Sequence, residues 1–270
     1  MSLGKNLFWG ALGVSAGALI YGALVESNRH VTIKKTLRLP NWPERLREYR
    51  IALLGDFHIR DEYSLDVAKR AVDAALDSDP DMVVMVGDYV GHWKPEVIPM
   101  LGEALEPLLL MNGSVVAVPG NHDYLGGDTS ILETIFDELN ITLLRNSSWI
   151  HDGINWVGVD SANASQADPV SAMEEVDPSM PSIALWHEPD MVEWLPEGNQ
   201  LCLSGHSHGG QFLTPWGTPF MGSRKGRKYR RGFFPNAPTP IFVTSGIGTT
   251  GPPSRLFCPP ETVILDLEPG

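Results

Sequence analysis

The sequence predicts an α/β fold, because short apolar runs alternate with segments of helical periodicity along most of its 270 residues. Five runs are rich in β-branched residues and almost entirely apolar, as are strands buried on both faces of a sheet. They cover residues 50–55, 82–87, 115–119, 182–186 and 200–204. Each run leads directly into polar residues, so candidate functional groups are expected at strand ends, where α/β proteins place their sites.

The segments between the runs predict helices. They cover residues 64–76, 96–110 and 130–139. The first begins with Ser64, an N-cap residue type, and the third contains Ser130 and Glu133 at the spacing of a capping box.

The remaining segments predict strands and loops. Residues 30–39 form a polar strand candidate, and residues 141–160 read as shorter strands and turns. We therefore expect mostly βαβ connections with a second, more antiparallel part. Prolines between residues 215 and 260 indicate long ordered loops rather than another domain.

The N-terminal segment predicts a membrane anchor. Residues 7–25 carry no charge and would form a helix of about 28 Å, which just spans a bilayer core. Trp9 and Tyr21 lie near its ends, where aromatic anchors occur. We expect an anchor in residues 1–29 and one folded domain in residues 30–270.

Two alternatives to an anchor are a cleaved signal peptide and a buried soluble helix. Lys5 and the small residues 16–18 fit the basic end and the cleavage site of a signal peptide, which would make the protein exported. For a single-pass anchor, the excess of bases after the span predicts a domain on the cytoplasmic side. Those bases are Arg29, Lys34, Lys35 and Arg38.

Charge and cysteine content exclude several classes of protein. The net charge of −13 argues against nonspecific nucleic-acid binding, which needs clustered bases. A phosphate-bearing substrate remains compatible where a metal ion or a basic loop reverses the local field. Cys202 and Cys258 are too few for a disulfide framework or a zinc finger. We expect both to be reduced and buried, although a single bridge between them is compatible with the sequence.

The polar clusters that follow the apolar runs predict a metal site. They contain five of the eight histidines. Imidazole nitrogens with carboxylate or amide oxygens, and no thiolate, suit Mn²⁺, Fe²⁺, Zn²⁺ or Mg²⁺. Asp56 with His58, and His206 with His208, are spaced so that each pair can converge on one centre. Flanking glycines would let the backbone turn sharply enough to present them.

The motifs GDFH, GD, GNHD, WHEPD and GHSHGGQ together resemble the calcineurin-like metallophosphoesterase superfamily, over residues 50–267. Residues 204–211 and 244–261 resemble its membrane-associated bacterial branch, which includes membrane-anchored phosphodiesterases and UDP-2,3-diacylglucosamine pyrophosphatases. The resemblance implies a β-sandwich of two mixed sheets flanked by helices. It also implies two divalent metal ions, for which we expect Mn²⁺.

The resemblance implies specific roles for the clustered residues. The first metal would bind Asp56, His58, Asp88 and His208. The second would bind Asp88, Asn121, His187 and His206, with Asp88 and a water bridging the two metals. Such a pair activates that water for in-line attack at phosphorus. His122 would contact the phosphate and protonate the leaving group, or alternatively orient a ligand, and Asp123 is the expected partner of its ring N–H.

Departures from the motifs of protein phosphatases, and one basic segment, bear on the substrate. The residues after Asp88 read YVGH where protein serine/threonine phosphatases have YVDRG, which disfavours a phosphoprotein. His92 and Trp93 would line the substrate pocket or pack the loop. Six bases within eight residues would be a solvated run, a lipid-binding patch or a clamp for a second phosphate, and we favour the last two. They are Arg224, Lys225, Arg227, Lys228, Arg230 and Arg231.

We therefore expect hydrolysis of a phosphodiester or pyrophosphate bond in a membrane-derived substrate, with UDP-2,3-diacylglucosamine, a lipid A precursor, as the leading candidate. The alternatives are a broad phosphodiesterase or phosphatase acting on soluble substrates, and a non-catalytic metal-binding module. We expect membrane contact through the N-terminal helix and the basic segment, and no nucleic-acid partner. No feature of the sequence indicates a protein partner.

Overall fold

A computed structural model describes residues 2–127, 129–220 and 228–270, and within the first helix the side chains of residues 9, 13 and 15–24. In chain order the elements are α1 (Ser2–Leu24), β1 (Val31–Leu39), β2 (Tyr49–Leu54), α2 (Glu62–Leu76), β3 (Met82–Met85), α3 (Val97–Leu105), β4 (Val115–Ala117), α4 (Ser130–Glu138), β5 (Thr142–Leu143), β6 (Ser147–His151), β7 (Ile154–Val159), β8 (Ser182–Trp186), β9 (Leu201–Ser204), β10 (Gly232–Phe234), β11 (Ile241–Val243) and β12 (Glu261–Pro269). Short 3₁₀ turns lie between several of them.

The strands form two six-stranded mixed sheets, as expected. The first has the order β1-β12-β2-β3-β4-β5, and only β12 and β2 pair antiparallel in it. The second has the order β10-β11-β9-β8-β7-β6. Its outer pairs are antiparallel and its inner pairs parallel. The expectation of a more antiparallel second part is therefore wrong for the inner strands, because long crossover loops connect β7, β8 and β9.

Alternating side chains of β2 show how the layers pack. Ile51 and Leu53 point toward the second sheet and contribute to a core that includes Trp156 and Leu185. Ala52 and Leu54 point the other way, into a core with α2, α3 and α4. A third apolar cluster covers the outer face of the second sheet. The central strands are thus buried on both faces, which explains their continuous apolar character.

Helix boundaries differ from the predicted ones for local reasons. Helix α2 begins before Ser64, because Asp61 is its N-cap: the Ser64 N–H donates to the Asp61 carboxylate at 2.8 Å. Helix α3 ends at Leu105 and continues as a 3₁₀ turn. The predicted capping box in α4 is wrong, since Thr129 occupies the N-cap and Glu133 pairs with Arg145 at 2.6 Å.

Helix α1 covers most of the predicted apolar segment, and its C-terminal end contacts the domain. The Ser254 hydroxyl donates to the Leu19 carbonyl at 3.1 Å, and the Arg255 N–H lies 3.3 Å from the Gly22 carbonyl. Among the residues that the structure describes, no helix combines the length and the apolar character that crossing a membrane requires. The predicted anchor therefore stays a prediction. Both cysteines are buried and free.

The close approach of the two sheets at Gly158 gives a prediction for stability. A Cβ atom on Gly158 would overlap the Leu144 Cβ and lie 3.0 Å from the Val118 Cγ1, inside the core. We expect Gly158→Ala to lower the free energy of unfolding by about 1–3 kcal/mol, measured by urea denaturation. Gly102→Ala is the control, because no described residue beyond its chain neighbours and its own helical turns lies within 4 Å of the added Cβ. In helix α3 it should leave stability unchanged or raise it by up to about 1 kcal/mol, and equal losses in both variants would contradict the packing argument.

Candidate metal centre

Loops from both sheets meet at the carboxyl ends of the strands. The loop after β2 is bonded to the loop after β3, with the Asp56 N–H donating to the Gly87 carbonyl at 2.9 Å. It is also bonded to the loop after β9, because the His206 N–H donates to the Asp56 carboxylate at 2.9 Å. These hydrogen bonds fix the relative positions of the polar side chains that follow the strands of the two sheets.

A first group of possible metal ligands comprises Asp56, His58, Asp88 and His208, whose ligand atoms lie within 4.8 Å of one another. The Nε2 atoms of His58 and His208 are 3.0 Å apart. The Asp88 Oδ2 lies 3.4 Å from the His58 Nε2, and the Asp56 Oδ1 lies 3.4 Å from the His208 Nε2. All four side chains are at most 3% exposed, so the group forms a buried set of nitrogen and oxygen donors.

A second group comprises Asp88, His187 and His206, and it shares Asp88 with the first; the Asp88 Oδ2 lies near His58 of the first group and near His187 of the second. This oxygen lies 3.2 Å from the His187 Nε2, and the His206 Nδ1 lies 3.1 Å from the same nitrogen. Neither the Asp88 Oδ2 nor the buried Asn121 Oδ1 has a hydrogen-bond partner among the described residues. Two divalent cations on either side of Asp88 fit this donor set, because borderline and hard cations bind such nitrogen and oxygen atoms.

Hydrogen bonds to the opposite ring nitrogens orient the histidines. The His187 Nδ1 lies 2.6 Å from the Val86 carbonyl, which can only accept, so Nδ1 carries a hydrogen and Nε2 is the nitrogen that faces Asp88. The His206 Nε2 lies 3.1 Å from the Asn163 side-chain amide. His206 therefore presents its Nδ1 to the ligand group.

Asp123 holds the main chain around the site. Its buried carboxylate accepts the N–H groups of Asp88, Tyr89 and Gly120 at 2.8–2.9 Å. The expectation that Asp123 accepts from the His122 ring is wrong, because these main-chain groups occupy its oxygens. The His122 Nδ1 instead donates to the Gly91 carbonyl at 2.9 Å.

Burial and mutual charge shift the pKa values at the site. Burial raises the pKa of Asp56 to about 7, with the Asp88 charge adding to the effect and His187 opposing it. Burial also disfavours ionisation of Asp88, but His187, His58 and His122 outweigh it and hold the pKa of Asp88 well below its usual range. Burial lowers the pKa of His187, yet Asp88 overcomes this and raises it to about 10. The site is thus arranged around positive charge beside Asp88.

The backbone at the ligand positions is unusual. Five of the residues that could bind metal have φ angles between 48° and 66°, which non-glycine residues rarely adopt. They are Asp56, His58, Asp88, His206 and His208. The flanking glycines were expected to allow sharp turns of the backbone, and this expectation is wrong for Gly205, which has no positive φ. Gly205 instead leaves room for the Asp56 carboxylate, because a Cβ atom on Gly205 would lie 2.7 Å from the Asp56 Oδ2.

The other predicted residues near the centre differ in exposure. His122 lies beside His58, with ring centroids 4.6 Å apart, and its main-chain N–H donates to the Asp88 Oδ1 at 2.7 Å. His92 is exposed and lines a cavity that His58 and His122 also line. Trp93 is buried and donates to the Asp123 carbonyl, so it packs the loop rather than facing substrate.

The basic segment is only partly described. Arg224, Lys225 and Arg227 lie outside the described residues. Lys228 pairs with Glu193 at 2.6 Å, and Arg231 pairs with Glu261 at 3.1 Å. The Arg230 carbonyl accepts the Ser207 hydroxyl next to the metal-ligand candidates. Acidic residues therefore offset the charges of Lys228 and Arg231 locally.

Two residues that support the site were missed by the sequence analysis. Asn163 contacts His206, and Glu188 holds the Asn163 loop by accepting the Ser161 hydroxyl at 2.5 Å and the main-chain N–H of Asn163 at 3.1 Å. The one signal for Glu188 is its position directly after His187. No spacing in the sequence links Asn163 to His206, which is 43 residues away.

Comparisons with known proteins agree with this geometry. The sequence profile described as calcineurin-like phosphoesterase matches residues 49–210. The chain is 27% identical to the metallophosphoesterase YkuE of Bacillus subtilis, over 98% of this chain and 96% of the relative. It is 27% identical to the UDP-2,3-diacylglucosamine pyrophosphatase LpxG of Chlamydia trachomatis (84% and 85% covered), and 28% identical to the phosphodiesterase YaeI of Escherichia coli (85% and 86%).

The contacts of Asp123 predict an effect on metal binding. In Asp123→Asn, one carboxylate oxygen becomes an NH₂ group that faces main-chain N–H groups, so the loops around Asp88 should lose their fixed geometry. We expect the affinity for Mn²⁺ to fall by about 10- to 100-fold, measured by isothermal titration calorimetry. Asp137→Asn, at an exposed position of α4, is the matched control and should bind like the wild type. Wild-type affinity in Asp123→Asn would show that its hydrogen bonds do not position the ligands.

Proposed function

Because the chain belongs to the calcineurin-like phosphoesterase family and is therefore a hydrolase of phosphoric esters, we propose that it uses two divalent metal ions to cleave a phosphodiester or pyrophosphate bond. The observation that carries this proposal is Asp88, which belongs to both ligand groups and whose buried Oδ2 lies 3.4 Å from the His58 Nε2 and 3.2 Å from the His187 Nε2. A carboxylate oxygen in that position suits a bridge between two cations.

The proposed ligands divide as the sequence predicts. The first cation would be held by Asp56, His58, Asp88 and His208, and the second by Asp88, Asn121, His187 and His206. When bound, the pair would supply Lewis acidity that activates a water for in-line attack and offsets charge on the phosphoryl oxygens. Mn²⁺ is the metal we propose, while Fe²⁺, Zn²⁺ and Mg²⁺ suit the same donors.

The chain's own residues orient these groups and handle protons. The Val86 carbonyl keeps the proton of His187 on Nδ1, so Nε2 is available as a ligand. His122 is fixed by the bond from its Nδ1 to Gly91, which leaves Nε2 to donate a proton to the oxygen of the leaving group. A protonated His122 would therefore act as general acid for the bond that breaks.

The proposed substrate is a membrane-derived diphosphate, with UDP-2,3-diacylglucosamine as the leading candidate. The similarity to LpxG over most of both chains supports it, since the name of that relative states this substrate. The similarity to YaeI supports a second candidate, a broader phosphodiesterase that acts on soluble substrates. A non-catalytic metal-binding module is disfavoured because each predicted ligand type is present at the centre.

We also propose that α1 associates with a membrane and that the domain lies on its cytoplasmic side. Apolar side chains support the association, because Leu19, Ile20 and Leu24 near the end of α1 are 49–69% exposed. Exposed apolar groups of this size are costly in water and favourable in lipid. The bases that follow the segment support the proposed side.

Two substitutions separate the proposed roles of His122 and Asp88. We expect His122→Gln to lower kcat by about 100-fold or more for a diester with an alkoxide leaving group, and much less for bis-(p-nitrophenyl) phosphate, whose p-nitrophenolate leaves without a proton. Two Mn²⁺ ions should stay bound per chain, because only the proton donor is lost. Asp88→Asn removes the shared ligand and should lower both activity and metal content. Metal content is measured by mass spectrometry after dialysis. Loss of metal in His122→Gln would contradict its role as a proton donor.

The substrate proposal is tested by comparing UDP-2,3-diacylglucosamine in anionic lipid vesicles with bis-(p-nitrophenyl) phosphate, using the full chain and Mn²⁺. We expect a kcat/KM at least about 100-fold higher for the lipid nucleotide, because remote binding energy lowers its barrier. Flotation of the chain with the same vesicles tests the proposed membrane association. Activity on the diester alone would remove the lipid assignment and favour the broader phosphodiesterase.

A further inference from the structure

A cavity of about 220 Å³ opens directly beside the candidate metal centre. His58 and His122 form its inner wall, and the other residues that line it come from the loops after β2, after β3 and before β12. Pockets that accept drug-sized ligands are commonly about 300–1,000 Å³. This cavity is therefore large enough for one substituent of a substrate but not for a whole lipid nucleotide.

Arg60, a charged residue that lines the cavity, is held in place by Thr249 of the loop before β12. Its Nη1 donates to the Thr249 carbonyl at 2.9 Å, and its Nη2 donates to the Thr249 hydroxyl at 2.8 Å. Its Nε also forms an ion pair at 3.7 Å with the carboxylate of Asp61, which accepts the N–H of Ser64 as the N-cap of α2. Arg60 is thus a positioned cation on the wall of the cavity.

Lys94 supplies a second positive charge to the lining of the cavity. It is exposed, and no described residue forms an ion pair with it. None of the described residues that line the cavity is acidic, although the chain carries a net charge of −13. An arginine and a lysine that line one small cavity form a site for an anion, because guanidinium and ammonium groups bind phosphate oxygens.

We propose that this cavity is the subsite for the second phosphate of a diphosphate substrate, an inference that rests on the proposed function. His122 lies at the boundary between the metal centre and the cavity, so a phosphate on the leaving side of the attacked phosphorus enters the cavity. Arg60 and Lys94 bind that phosphate. The subsite thereby selects diphosphates over simple diesters.

The subsite also assists bond cleavage. Water attacks the first phosphorus, and the bond from that phosphorus to the bridging oxygen breaks with its electron pair on the oxygen. The bridging oxygen becomes a terminal oxygen of the second phosphate and takes a proton from His122. The products are two phosphate monoesters, and Arg60 and Lys94 offset the negative charge gained by the one that leaves.

The test is equilibrium binding of two probes to the Mn²⁺-loaded full chain by isothermal titration calorimetry. The probes are α,β-methylene-UDP, whose bridge cannot be hydrolysed, and UMP, which has one phosphate. We expect the wild type to bind the diphosphate at least about 10-fold more tightly, and Lys94→Gln or Arg60→Gln to remove most of that preference. Lys94→Arg should retain it. Lys69→Gln is the matched control, because Lys69 pairs with Glu103 on the helical face and should not affect either probe.

A wild-type protein that binds both probes equally, or a preference that survives in Lys94→Gln and Arg60→Gln, would overturn the subsite. A loss of preference that also occurs in Lys69→Gln would overturn it as well. The measurement needs no turnover, so it is independent of bis-(p-nitrophenyl) phosphate hydrolysis. The measurement can therefore contradict the proposed subsite without contradicting the proposed hydrolase activity.

Discussion

Three buried carboxylates at one edge of the sandwich are the constraint on which the rest of the site depends. Asp56, Asp88 and Asp123 are at most 1% exposed, and an uncompensated charge in such a position is strongly unfavourable. Main-chain N–H groups offset part of the cost: His206 donates to Asp56, His122 donates to Asp88, and three groups donate to Asp123. Most of these donors come from a different loop than the carboxylate they contact, so the way the strands bring the loops together also determines how the charges of the site are stabilised.

The sequence indicated which aspartate and histidine side chains come together, because each follows an apolar run and both features are local. The paired sheets and the sharing of Asp88 came from the resemblance, and the structure agrees with both. Contacts between distant segments could not be predicted in the same way. Asn163 reaches His206 only through the long crossover before β8, and the Gly91 carbonyl carries no side-chain signal at all. The left-handed backbone conformation of the ligand residues could not be predicted from the sequence either, because it is held by tertiary contacts.

Positive charge that is clustered in the sequence and positive charge that lines the cavity come from different parts of the chain. Six bases lie within residues 224–231, yet Lys228 and Arg231 contact acidic partners. Arg60 and Lys94 are 34 residues apart and line one cavity near the metal centre. The electrostatic field at the site depends on which acidic side chains lie close to each base in space. Separation along the sequence does not determine this. An acidic protein can thus present a local cationic surface to an anionic substrate.

The position of the ligands between the two sheets has a mechanical consequence. Asp56, His58, Asp88 and Asn121 follow strands of the first sheet, whereas His187, His206 and His208 follow strands of the second. Each ligand group therefore draws on both sheets. A cation bound by either group would link the two sheets, and its binding free energy would oppose any movement of one sheet relative to the other. In this arrangement, the same metal–ligand bonds that support catalysis would also make the sandwich more rigid.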